Sequence, residues 1–192
     1  MPHLILASAS PRRKELLEQI GVQFSVHAMD IDESVLEDET PSAYVERLAR
    51  EKASAAQVQF PDAVVLAADT TVTLGDQILG KPQSREDAVA MLNALSGETH
   101  RVMTGVALSS AEGVFSRCVT TEVTFKPLAE ELIERYVDTG EPMDKAGAYG
   151  IQGKAAVLVN DIRGSYSNVV GLPLAETAEL LEAGQVAFWQ TL

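Results

Sequence analysis

Residues 63–79, AVVLAADTTVTLGDQIL, decide the fold. The first six, Ala63–Ala68, are apolar without alternation, the pattern of a central strand buried on both faces. Asp69 follows, so it is expected at the carboxyl end of that strand, where open α/β sheets bind their ligands. Thr71–Leu74 and Gln77–Leu79 flank Gly75-Asp76, a two-residue hairpin signal. With that loop, Leu74 pairs with Gln77 and Thr70 with Lys81. Lys81 then comes within about one residue of Asp69, although strict pairing puts it on the face of Thr70. Pro82 has no N–H to donate and must end the ladder nearby, which leaves the direction of Lys81 open.

Outward from this stretch, short apolar strands alternate with amphipathic helices. Toward the N-terminus, His3–Ala7 reads as a buried strand and Phe24–Ala28 as a second. Between them Pro11–Ile20 reads as a helix, with Ser10 as N-cap, Pro11 at the first position and Gly21 as the stop. Asp30–Glu39 is an acidic stretch expected to be a mobile loop. Thr40-Pro41 opens a helix to about Val58, with Tyr44, Val45, Leu48 and Ala49 inward. Toward the C-terminus, Ser84-Arg85-Glu86-Asp87 resembles a capping box with Asp in the acidic position. Ala88, Met91, Leu92 and Leu95 mark the core face of the helix behind it. Val102–Ser109 and Phe115–Phe125 read as long strands, and Val119, Thr121, Val123 and Phe125 share a face. Ala129–Asp138 and Pro173–Ala183 read as helices and Ala155–Val159 as a strand. Gly140–Gly153 has no clear period, and its glycines suggest a shaped loop. Alternation of strands and helices, with hairpins requiring antiparallel pairs, predicts an α/β fold with a mixed sheet.

The 192 residues suit one domain, or one core with two lobes, and a chain of this length buries roughly 70% of its unfolded surface. A single cysteine, Cys118, rules out a disulfide framework within the chain and fits a reducing compartment. The first residues lack the basic segment and long apolar run of a secretory signal, and no stretch approaches the ~20 apolar residues of a membrane span. A soluble, cytoplasmic protein is expected. The net charge of −13 repels nucleic-acid polymers and anionic lipid. A phosphorylated small molecule would need a locally basic site, or a metal, against that field.

Ser8-Ala9-Ser10-Pro11-Arg12-Arg13 is such a place. A strand ends, hydroxyls follow, and a helix starts whose first N–H groups lack internal partners at the positive end of its dipole. Arg12 and Arg13 oppose that dipole, at a cost of ~0.3–1 kcal/mol each when exposed, unless an anion sits between. The plainer alternative is a solvated Arg pair. Asp69 could hold a divalent cation or orient a water; otherwise it is a turn residue capping Thr71. Lys81 beside Asp69 is either an ion pair or a phosphate clamp. Glu33 lies in the acidic loop, and Lys52, among Arg47, Arg50 and Glu51, is expected on a helix surface. His3, His27 and His100 show no metal-ligand spacing, and Cys118 reads as packing. A Walker-type phosphate loop and a GxSxG elbow are both missing, which excludes two common phosphotransfer and acyl-hydrolase designs.

Ser8–Arg13, Ala68-Asp69-Thr70, Gly80-Lys81-Pro82, Ser96–Gly105, Asp144–Gly153 and Asn168–Pro173 together resemble the Maf proteins, nucleoside triphosphate pyrophosphatases once named for septum formation. The resemblance spans essentially the whole chain. It implies a two-lobed mixed α/β fold similar to the inosine triphosphate pyrophosphatases (Maf/Ham1-like), with the site in the cleft. It also implies cleavage between the α- and β-phosphates, with a divalent cation, Mg²⁺ or Mn²⁺, as cofactor. Asp144–Gly153 looks like the branch acting on dTTP and UTP rather than 7-methyl-GTP. On this resemblance Asp69 is the catalytic base or a metal ligand, and Glu33 helps hold the metal. Ser8, Arg12, Arg13, Lys52 and Lys81 grip the triphosphate. Gln152 contacts the pyrimidine, with Arg12 and Thr70 as the other specificity positions. A homodimer is implied as well. Two alternatives remain open: the 7-methyl-GTP activity, and a nucleotide-binding regulator of septum formation that does not hydrolyse.

Overall fold

The computed structural model describes residues 2–190. The strands are β1 (Leu4–Leu6), β2 (Ser25–Val26), β3 (Val64–Leu74), β4 (Gln77–Leu79), β5 (Thr99–Ser110), β6 (Gly113–Phe125) and β7 (Val159–Arg163). The helices are α1 (Pro11–Gln19), α2 (Pro41–Gln59), α3 (Arg85–Leu95), α4 (Glu130–Val137), α5 (Tyr166–Val170) and α6 (Leu174–Ala183). The sheet runs β2-β1-β3-β5-β6-β7, with β4 on β3. Parallel β1–β2 and β1–β3 pairs and antiparallel β3–β4 and β6–β7 pairs make it mixed, as expected.

The chain divides into two compact units: Met1–Asp69, Thr104–Val119 and Gly171–Leu192 form unit 1, and Thr70–Met103 with Thr120–Val170 forms unit 2. The reading of one domain over residues 1–192 also takes in Met1, Thr191 and Leu192, which lie outside the described residues.

Unit 1 is organised by α2. Thr40 caps it by accepting the Ala43 N–H, and Pro41 opens it. Its buried stripe is Val45, Leu48, Ala49, Lys52, Ala53 and Ala56. Ala49, Ala53 and Ala56 pack with Ile5, Ala7, Val65, Ala67 and Ala107 into one cluster of small and branched side chains. Small residues let the helix approach closely. At Gly105 a Cβ would stand 2.3 Å from the Val45 carbonyl oxygen, so only glycine fits there. The second strand is shorter than expected, two residues against five, and Ser10 makes no side-chain cap on α1.

Unit 2 contains the hairpin. Leu74 pairs with Gln77 as the loop length dictates, and the ladder stops at Val72–Leu79. The carbonyl of Gly80 instead accepts the Gly147 N–H, so the expected Thr70–Lys81 pair does not form. At the start of α3, Ser84 accepts the Asp87 N–H, whereas Asp87 reaches back to Gln83 rather than to Ser84. Arg85 ties α3 to Glu134 and Asp138 around α4. His100, Phe125 and Tyr149 meet edge to face in the core.

The strand expected at Ala155–Val159 is not there. Lys154–Leu158 is a 3₁₀ helix, and β7 begins only at Val159. Glu141 is the physical reason: its carboxylate accepts the N–H groups of Lys154 and Ala155, the donors a helix start leaves open. Gly153 lets that carboxylate in, since a Cβ there would meet it at 2.6 Å. The 140–153 region is thus a shaped loop containing two short 3₁₀ turns, Glu141–Asp144 and Ala146–Ala148.

Candidate active site

Ser8, Arg12, Arg13, Glu33, Lys52 and Asp69 all belong to unit 1. Lys52 is the centre. Its ammonium lies 2.6 Å from Glu33 Oε1 and 2.7 Å from Asp69 Oδ1. The expectation of a surface lysine is wrong: Lys52 is only 8% exposed. It falls on the same stripe of α2 as Leu48, Ala49 and Ala56, so its stem packs with the core and its charge must find partners. Asp69 also departs from expectation. The strand does not end at Ala68 but runs on to Leu74, so Asp69 sits mid-strand, and its partner is Lys52 rather than a capped Thr71. Thr71, Val72 and Thr73, all β-branched, favour that continuation.

The Ser8–Arg13 turn is anchored to the same neighbourhood. The Ser8 hydroxyl accepts from the Ser10 N–H at 3.2 Å and from Arg13 Nη1 at 3.2 Å. Arg13 Nε donates to the Gly171 carbonyl at 2.8 Å. Arg13 is therefore not a solvated side chain. Burial lowers its pKa, Asp69 acts against that shift, Arg12 adds to it, and Glu33 opposes it. Asp69 and Glu33 are thus within electrostatic reach of the guanidinium.

The acidic loop expected to be mobile is tied to α2. Arg47 grips Glu39 with both arms, at 2.6 and 2.8 Å, and donates to the Ser34 carbonyl at 2.9 Å. The Tyr44 hydroxyl donates to the Glu33 carbonyl at 2.8 Å. Asp32 accepts from the Ser34 N–H. The Tyr44 phenol is raised in pKa by burial, then by the charges of Asp69 and Glu33. Sequence reasoning placed Tyr44 as a core residue and gave Arg47 no role. Their spacing of three on a helix that directly follows an acidic loop was the available signal.

Thr70, Lys81 and Gln152 lie in unit 2. Thr70 follows Asp69 in β3 and is half-buried, Lys81 is exposed just beyond β4, and Gln152 is exposed beside Gly153. His100 is buried, with Nε2 2.7 Å from the Tyr149 hydroxyl, and burial pulls its pKa down to about 4, so it is neutral. Among the described residues no group of three or more His, Cys, Asp or Glu could hold a metal ion.

Unit 1 therefore sets three cations, Arg12, Arg13 and Lys52, against two carboxylates, Glu33 and Asp69, on a chain of net charge −13. Such a patch can take an anion beside its two carboxylates.

Residues 3–184 match the family model described as Maf-like protein. A protein of Anaeromyxobacter dehalogenans named dTTP/UTP pyrophosphatase is 55% identical over 98% of both chains. Proteins with the same name from Myxococcus xanthus and Symbiobacterium thermophilum are 55% and 52% identical, covering 97% and 94% of this chain and 95% and 93% of theirs. Among solved structures, a HAM1 protein from Coxiella burnetii superposes with a TM-score of 0.50 at 18% identity, over 95% of this chain and 100% of that one, a likeness of fold.

Proposed function

We propose, because the chain belongs to the Maf-like protein family, that it is a dTTP/UTP pyrophosphatase, releasing the nucleoside monophosphate and pyrophosphate. The observation that carries the reading is the Lys52 ammonium between Asp69 and Glu33, within electrostatic reach of the half-buried Arg13. Water attacks the α-phosphorus, the bond to the oxygen bridging the β-phosphate breaks, and pyrophosphate leaves with the electron pair. Asp69 takes the proton from that water. Lys52 holds Oδ1 of Asp69, and the second carboxylate oxygen keeps its capacity to accept. Ser8, Arg12, Arg13 and Lys52 bind the phosphates and neutralise the charge that builds on the leaving group. The resemblance assigns Gln152 and Thr70 to selection of the pyrimidine.

A divalent cation fits this donor set. Glu33 and Asp69 each give one oxygen to the Lys52 ammonium, and the other oxygen of each could hold Mg²⁺, which needs only one or two carboxylates when phosphate oxygens and waters complete its shell. Bound there, it would supply charge neutralisation of the phosphates. No described helix is long and apolar enough to cross a membrane. A cytoplasmic location, a homodimer and a part in nucleotide-pool housekeeping or division arrest accompany the proposal through the resemblance.

Turnover of dTTP, UTP and 7-methyl-GTP, measured side by side as pyrophosphate release with and without Mg²⁺ or Mn²⁺, tests it. Metal-stimulated release from dTTP and UTP is expected. Preference for 7-methyl-GTP would move the chain to the other branch, and binding without release would make it a nucleotide-binding regulator.

A further inference from the structure

The carboxylate of Glu33 reaches Lys52 from a loop with no regular structure, so something must hold that loop in register. The backbone there is held at two consecutive carbonyls. The Tyr44 hydroxyl takes that of Glu33 at 2.8 Å, and Arg47 Nη2 takes that of Ser34 at 2.9 Å. Both donors stand on the same face of α2, three residues apart, and Lys52 is five residues further along the same helix. Arg47 is itself fixed. Its fork is bidentate on Glu39, at the far end of the loop, and a further arm lies 3.3 Å from Glu51. The loop is clasped at its middle and at its end by the helix that carries Lys52.

We infer that Tyr44 and Arg47 are positioning residues for the reaction, setting the Glu33 carboxylate against Lys52 and Asp69. They touch no reacting atom, and they act through Glu33. The inference rests on the reading of Glu33 as part of the pyrophosphatase site. It explains why the half-buried Tyr44 keeps its hydroxyl on a main-chain carbonyl. It also accounts for a bidentate arginine clamp, its two side chains only 20% and 7% exposed, at the end of an otherwise exposed loop.

The test is a set of double-mutant cycles on the full chain, reading kcat and KM for UTP hydrolysis at saturating Mg²⁺. Tyr44→Phe removes one O–H, and Arg47→Lys keeps the charge but loses the fork. Tyr44→Phe is expected to lower kcat about fivefold, the effect of one lost hydrogen bond, and Arg47→Lys about tenfold or more, with KM moving less. In a Glu33→Gln background neither substitution should lower kcat further. The same loss in both backgrounds, or no loss in the parent, would overturn the inference while leaving Glu33 in the site. Full activity of Glu33→Gln alone would overturn the reading of Glu33 and the inference with it. Circular dichroism spectra matching the parent exclude misfolding as the source of any loss.

Discussion

The ammonium of Lys52, on the buried stripe of α2, stands 2.7 Å from Oδ1 of Asp69 in the middle of β3. Seventeen residues of chain separate them, and the pair exists only because α2 packs on the sheet through alanines. Glu33 completes the arrangement at 2.6 Å from the same nitrogen.

Asp69→Asn keeps the shape and a hydrogen-bond acceptor for Lys52 but removes the base. Its kcat for dTTP or UTP should fall by about 10²–10⁴-fold, the range a positioned general base contributes. The fold should be intact by circular dichroism. Near-normal pyrophosphate release from this variant would remove Asp69 from the reaction.

Lys52→Met leaves Asp69 and Glu33 facing each other without the cation between them. The destabilisation should be about 2 kcal/mol, less than for a fully buried pair because the Glu33 side chain is half exposed. Urea unfolding would read the loss. Activity should collapse too, and a parent-like rate with parent-like stability would contradict the central place given to Lys52.

His100 makes stability depend on pH in a defined direction. Burial lowers its pKa in the folded state to about 4, against about 6.5 unfolded. The unfolded chain therefore binds the extra proton first as pH falls. The contribution is fully present above pH ~6.5 and is lost progressively down to about 4, amounting to about 3 kcal/mol across the window. Urea midpoints of the parent and His100→Gln, compared between pH 7 and pH 4, should show a shallower fall in the variant. Parallel curves would mean the imidazole is not held neutral.

Gly105→Ala would push a methyl group into the backbone of α2, 2.3 Å from the Val45 carbonyl oxygen. Either the helix shifts or the strand does. A loss of about 2–4 kcal/mol is expected, and activity should fall with it, because α2 carries Tyr44, Arg47 and Lys52. A thermal midpoint equal to the parent's would show that the helix can retreat at no cost.

Local chemistry was legible without coordinates. The Gly75-Asp76 loop set the Leu74–Gln77 pair, Thr40-Pro41 started α2, and the run after Ala63 announced a central strand. Each depends on residues near one another in the chain, where spacing and turn chemistry act directly. The motif residues Ser8, Arg12, Arg13 and Asp69 were legible as candidates for the same reason: their types are unusual for their places. The clasp of Tyr44 and Arg47 on the Glu33 loop was not, because each residue also satisfies a plain helix pattern.

By itself, then, the sequence determined the mixed α/β class, the hairpin register and the list of chemically able side chains. Tertiary structure alone decided that Lys52 is buried, that Asp69 sits mid-strand, that Arg13 bonds a carbonyl 158 residues away, and that Lys154–Leu158 coils instead of extending. The reason is the same in each case. A buried charge or an open helix end must find a partner, and only the packing of distant segments determines which partner is within reach.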